Sequence, residues 1–408
     1  MRVSKNLIKS LLRDPVFILL SLNFFWVIIG YGLGTVFGKN SGPVSIMRQF
    51  KTLFLFLSFI HVLMRNGLSF KFLANKFSIL LVIIVVGFHS LLSNDLTESG
   101  YKAFTFIYPL LYIVFSVNYL SKFGAINNLI GLSMAILVIY AFVPLSYFLI
   151  GGSLDTDIIY GRNEGNLFVS NHYGWSSALY ITTSLTVLKF YPLKKLYKWC
   201  IIGFLPFVFF LLIVSASRSA ILSVLMVFAF FLFKNNSIKS STKILLIIFS
   251  FSIFLFIANN ENSAIDFLVE KNSRQLETGE EGRIITTRAM LKAFENNPVY
   301  WFTGVGMFNY SEMKSNGGTL SSYHNSYWEI LFGSGIFVFI AFLNFILIKP
   351  LKAFWKRVSD YSLLFFPLML IPFFEGDLTA GQFLFFPWFT VMIILNLKEL
   401  HFYSKNNN

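Results

Sequence analysis

Twelve stretches of this chain are apolar on all sides, without the helical or alternating period that would set one face apart from another. They lie near residues 15–36, 44–64, 77–93, 103–120, 129–150, 171–190, 197–215, 219–233, 243–258, 326–348, 360–374 and 379–397. A segment that is hydrophobic all round is either deeply buried or crosses a membrane. About 20 helical residues cover the roughly 30 Å of a bilayer's hydrocarbon, and the shorter runs approach the lower limit of that length. The pattern predicts an all-α polytopic membrane protein with about 12 transmembrane helices, one transmembrane domain over residues 1–408. Between the runs, two polar segments stand out by length, at 151–170 and 259–325. Within the second, EGRIITTRAMLKAFENN changes period. It predicts an amphipathic helix offering Ile284, Ile285, Ala289, Leu291 and Phe294 to a membrane or protein surface, ended by Pro298 and followed by a Gly304–Gly306 turn.

Composition agrees with the pattern. Hydrophobic residues make up 56% of the chain and charged residues 13%, where soluble domains carry roughly 25% charge. The 51 Phe suit a surface that meets lipid and needs no hydrogen bonds. Cys200 is the single cysteine, so no intrachain disulfide and no Cys/His metal cluster is expected. The basic start, Met1 to Arg13, precedes an apolar run too long for a signal-peptide core, which predicts a retained first span.

Charge orients the spans. The net +14 suggests nucleic acid at first, but its distribution argues otherwise. With both termini in the cytoplasm, the inner segments hold 21 Lys+Arg against 3 Asp+Glu, and the outer segments 12 against 16. Arg65/Lys71/Lys76, Lys194/Lys195/Lys198, Lys234/Lys239/Lys243 and Lys349/Lys352/Lys356/Arg357 all fall inside, as the positive-inside rule requires. The expected location is the bacterial inner membrane, with both long segments on the periplasmic side. The inner loops are too short for a nucleotide-binding domain.

No charged residue stands at the middle of a span, which argues against an ion-coupled transporter. The groups able to do chemistry gather on the outer side. Arg218, in SASRSAIL, opens the eighth span after a very tight turn, where a guanidinium fork and helix N–H groups suit a phosphate; a snorkelling interfacial arginine is the plainer alternative. Arg283 and Arg288 lie five apart in the large loop, in reach of one anion if the segment is helical, or else solvated beside Glu280, Glu281 or Glu295. Arg162, in YGRNEGN, can join them. His324 heads the tenth span and can take a proton from a hydroxyl near neutral pH, or simply cap the helix. Asn325 and Glu329 can support it. Asp155 and Asp157 form a DxD triplet, but sugar nucleotides are absent outside the cell, and no metal is expected there. Glu375 and Asp377 are alternative carboxylates.

In order, these pieces resemble the O-antigen polymerase and O-antigen ligase superfamily of membrane glycosyltransferases, from about Tyr160 to the end. Arg218-Ser-Ala-Ile-Leu222 fits an R-x3-L pattern, and His324-Asn325 followed by nine residues and Gly335 fits H-[NSQ]-x9-G. Gly282-Arg283 through Pro298 to Gly304-Val305-Gly306 is similar to the family's large-loop segment. Two positions depart from it: Val338 stands where Gly, Thr or Tyr is usual, and Thr287 where a tryptophan often follows the arginine. The resemblance implies a GT-C-like fold and periplasmic transfer from undecaprenyl-pyrophosphate-linked oligosaccharides, without nucleotide, cofactor or metal. It implies that Arg218 and Arg283 bind pyrophosphate, helped by Arg162 and Arg288, while His324 deprotonates the attacking hydroxyl. It also implies membrane lipids, a chain-length regulator and a flippase as partners, and no nucleic acid. HNSYWEILFGSGIF is more similar to polymerases; a ligase acting on lipid A core is the alternative, and a flippase of lipid-linked oligosaccharide the alternative of another class.

Overall fold

The computed structural model describes residues 56–64, 77–91, 96–121, 126–150, 170–190, 193–215, 217–234, 281–306, 314–317, 325–348, 351–352 and 363–374, with isolated positions elsewhere. Among them all regular structure is helical, as an apolar environment demands of a backbone that must satisfy its own hydrogen bonds. The helices are α1 (Phe77–Leu91), α2 (Leu96–Ser121), α3 (Ile126–Ile150), α4 (Ser170–Phe190), α5 (Lys195–Val214), α6 (Arg218–Lys234), α7 (Glu281–Asn296), α8 (Tyr300–Thr303), α9 (Ser326–Leu343) and α10 (Phe365–Phe374). A π-helical turn, Asn344–Ile348, continues α9.

The third to eighth predicted spans correspond to α1–α6, the tenth to α9 and the eleventh to α10. The second is described only over 56–64, while the first, ninth and twelfth lie largely outside the described residues. By length and composition, two helices qualify as membrane-crossing among the described residues: Lys195–Val214 and Ser326–Ile348. The count of twelve therefore stays an expectation.

The chain divides into two compact units. Met1–Ala135, Gly282–Ser362 and Pro372–Asn408 form the first; Ile136–Glu281 and Leu363–Ile371 form the second. In the first, α1 packs along both α2 and α9, and α8 lies against α9. In the second, α4 packs against α5 and α6.

Helix α4 carries an unusual load for an apolar setting: Ser176, Ser177, Thr182, Thr183, Ser184 and Thr186 are all buried. Three of these hydroxyls are satisfied within the helix itself. Thr182 donates to the Ala178 carbonyl, Thr183 to Leu179 at 2.6 Å, and Thr186 to Thr182 at 2.8 Å. Such back-bonding lets a polar helix be buried without unpaired donors at those positions.

Candidate functional site

The corner before Arg218 is built from small residues. Helix α5 ends at Val214, and the Ser215 hydroxyl donates to the Leu212 carbonyl at 2.8 Å. The Ser217 N–H donates to the Ser215 Oγ at 3.4 Å, and the Ser217 carbonyl accepts the first helical bond of α6, from the Ile221 N–H at 3.0 Å. Ser215, Ser217 and Ser219 are buried. The first turn of α4 crosses directly over this corner: a Cβ on Gly174 would stand 2.5 Å from the Ser217 Cβ and 2.6 Å from the Ser215 Oγ. Arg218 is thereby the first residue of a 17-residue helix, at the end where backbone N–H groups and the helix dipole favour an anion. Its side chain lies outside the described residues.

The H-N-x9-G stretch marks out one short helix. Asn325 is the N-cap, extended at φ −157° and ψ 105°, and its Oδ1 accepts from the Tyr327 and Trp328 N–H groups, both at 3.0 Å. Capping is thus Asn325's task and not that of the preceding histidine. His324 itself lies outside the described residues. From Ser326 the helix is buried almost throughout, including Ser326, Glu329 and Ser334, until Gly335 breaks it at φ 75° and ψ 176°. Glu329, in the first turn, sits where the helix dipole favours a carboxylate. Val338, the departure from the family pattern, is buried beyond the break.

The break frees carbonyls, and the large loop takes them. In an unbroken helix the Phe332 and Gly333 carbonyls would accept from residues 336 and 337, which lie beyond Gly335. Instead the Val305 N–H donates to Phe332 at 2.9 Å and the Gly306 N–H to Gly333 at 3.0 Å. The Nδ1 of His89, on α1, stands 3.3 Å from the same Gly333 carbonyl. The approach is close in both directions: a Cβ on Gly304 would collide with Gly333, and one on Gly335 with the backbone of Phe302. His89 was not singled out by the sequence reading, because its partner is 244 residues away and no local pattern announces the pairing.

Helix α7 forms where its period predicts, but its inner face differs from the expected one. Thr286, Ala289, Met290, Ala293 and Phe294 are buried, whereas Leu291 is exposed. Ala289, Met290, Ala293 and Phe294 share a core with Val305 and Phe332, against which Tyr300 and Trp328 pack. The Phe294 and Phe332 rings lie 5.3 Å apart. The apolar face of α7 therefore seats on protein, and the helix carrying the two arginines is fixed to the helix that Asn325 caps. Five residues of helix turn through about 140° beyond one full revolution, so positions 283 and 288 do not share a face. Arg288 is exposed; the side chain of Arg283 lies outside the described residues.

The structure thus joins α7, the Gly304–Gly306 turn, α9 and His89 within the first unit, and Gly174, Ser215–Ser217 and the start of α6 within the second. Arg162, Asp155, Asp157, Glu280, Glu375 and Asp377 lie outside the described residues. Three or more His, Cys, Asp or Glu side chains grouped as for a metal ion do not occur among the described residues.

Residues 203–343 match the model of a family described as O-antigen ligase. The match takes in Arg218, Arg283, Arg288, His324, Asn325, Glu329 and Gly335, and leaves out Arg162. The match spans about a third of the chain; it supports the O-antigen ligase/polymerase superfamily and does not separate polymerase from ligase. No curated protein matches the chain.

Proposed function

We propose that this protein is an O-antigen or surface-polysaccharide polymerase. It joins undecaprenyl-pyrophosphate-linked repeats on the periplasmic face of the inner membrane by metal-independent, inverting transfer. The observation that supports this best is the form taken by the H-N-x9-G stretch. Asn325, next to His324 in sequence, caps the helix with its own side chain, and the large loop is held against the far end of that helix.

In the proposed step a sugar hydroxyl of one repeat attacks the anomeric carbon of another. The new C–O bond forms as the bond to pyrophosphate breaks, and the hydroxyl proton passes to His324. The lipid pyrophosphate departs with the bonding pair. Arg218 and Arg283 meet its growing charge, assisted by Arg162 and, reaching around α7 from another face, by Arg288; fixed cations of this kind act most strongly where charge develops in the transition state. Asn325 and Glu329 support the base through the helix they begin. General-base help contributes roughly 10²–10⁴-fold.

The test is His324→Ala in purified, membrane-reconstituted protein supplied with lipid-linked repeats. Extension should be lost while the protein remains monodisperse, and wild-type extension by this variant would sink the assignment. The family match carries the description of a ligase, which favours a second reading with the same donor and lipid A core as acceptor. A deletion strain separates the two. A polymerase leaves single repeats attached to lipid A, whereas a ligase leaves long chains on the lipid carrier. A flippase would extend nothing in the purified assay.

A further inference from the structure

Helix α9 divides into two halves of different character. Before Gly335 it is enclosed by protein; after it, Phe337 and Ile340 are 61% and 53% exposed, on one face. That exposed face belongs to a helix apolar and long enough to cross a membrane, and we take it as the face turned to lipid. The 23 residues Ser326–Ile348 have a helical contour of roughly 33 Å at 1.5 Å per residue, so the kinked segment spans at most about the thickness of a hydrocarbon core. Gly335 to Ile348 measures only about 20 Å. With Ile348 at one boundary of a core about 30 Å thick, the break falls inside the hydrocarbon, up to about 10 Å from the boundary on the Ser326 side.

At that level the large loop is attached. The Val305 and Gly306 N–H groups bond to α9 beside the break, and Gly335 meets the backbone of Phe302. Helix α8 and the residue before it present Val299 at 58% exposure and Phe302 at 59%, and the Phe302 ring packs 6.0 Å from that of Phe337. The patch is thus continuous with the lipid face of α9. The Thr303 hydroxyl of the same turn has its proton within reach of the Val299 and Gly304 carbonyls.

We propose that α8 is a wedge set into the bilayer, with Val299 and Phe302 in contact with phospholipid acyl chains of the leaflet on the Ser326 side. The depth agrees with the 5–10 Å or so to which apolar faces of interfacial helices sink. Part of a segment that reads as an extramembranous loop would then lie within the membrane. The inference rests on α9 crossing the bilayer and not on the proposed reaction.

The test uses the full chain in a Cys200→Ser background, since Cys200 is the single cysteine. Phe302→Cys, and separately Val299→Cys, are labelled with an environment-sensitive fluorophore and placed in phosphatidylcholine nanodiscs. Glu295→Cys, on the exposed side of α7, serves as the control. A wedge gives blue-shifted emission at both positions, strong quenching by acyl-chain nitroxide lipids and little by iodide, with Glu295→Cys showing the reverse. Iodide quenching without nitroxide quenching at 299 and 302 overturns the proposal, as does protection from both, which would mean a protein cover. Nitroxide quenching abolished by undecaprenyl phosphate also overturns it, by assigning the face to the polyprenyl chain of a substrate.

Discussion

Gly335→Ala strikes the junction on which the candidate site depends. The residue stands at φ 75° and ψ 176°, a region occupied essentially by glycine alone, and forcing another residue there costs about 1–3 kcal/mol. The added methyl also meets the Phe302 backbone, which has no rotamer by which to withdraw. Relief requires α8 and the Gly304–Gly306 turn to move off α9. That breaks the hydrogen bonds to the Phe332 and Gly333 carbonyls, at about 0.5–1.5 kcal/mol each, with more lost if the buried carbonyls stay unpaired. Gly304→Ala should act through the same contact from the other side, since its Cβ meets Gly333 and Ser334. Undocking happens once, so the double variant should be less damaged than the two singles predict, with a coupling of roughly 0.5–3 kcal/mol. Gly203→Ala, on α5 with open space around it, serves as a control and should leave the protein as stable or up to about 1 kcal/mol more so. Unfolding of the reconstituted protein and the length of the glycan ladder are the two readouts. Wild-type stability and ladder in both single variants, or strict additivity in the double, would refute the reasoning.

Four further outcomes follow from the same geometry. Asn325→Ala should lose about 1 kcal/mol of helix stability while Asn325→Asp or Ser loses far less, and failure of both to rescue unfolding temperature and ladder would mean that Asn325 does something other than capping. Arg218→Lys should shorten the ladder nearly as much as Arg218→Ala, because lysine lacks the fork that holds two phosphate oxygens; near-normal chains would favour an interfacial anchor. Chelator should leave extension by purified protein unchanged, and activity that metal restores would redirect attention to Asp155 and Asp157. A reporter fused near Asn260 should behave as periplasmic, and a cytoplasmic readout would overturn the orientation and the proposed chemistry together.

Much of the fold was legible because a lipid solvent leaves few choices. Uniform apolar runs become helices, and α1–α6 stand where those runs lie. The tight corner before Arg218 was legible too, since SAS offers no bulk to keep two helices apart. What periodicity could not reveal is tertiary. The apolar residues of α7 were expected to include Leu291, but the inward face is set by where Val305 and Phe332 lie, and Leu291 falls outside it. The nine residues between Asn325 and Gly335 read as the opening of one uninterrupted span. Only a docked neighbour explains why a glycine there breaks the helix, since isolated glycines are tolerated within transmembrane helices. His89 lacks the H-N-x9-G setting and so was given no role from the sequence; its partner is a backbone carbonyl exposed by that break.

The meeting of His89 with Gly333 also constrains how the protein is made. Its two ends are separated by 244 residues, and at about 5–20 residues per second a ribosome needs on the order of 10–50 s to supply the second after the first. Through that interval α1 is already synthesised while α9 and the turn that docks on it do not exist. Its imidazole must be satisfied meanwhile by water, lipid headgroups or the insertion machinery. A chain arrested after α6 would hold α1 in that provisional state permanently. Such truncated chains should be the ones that membrane-bound proteases clear first.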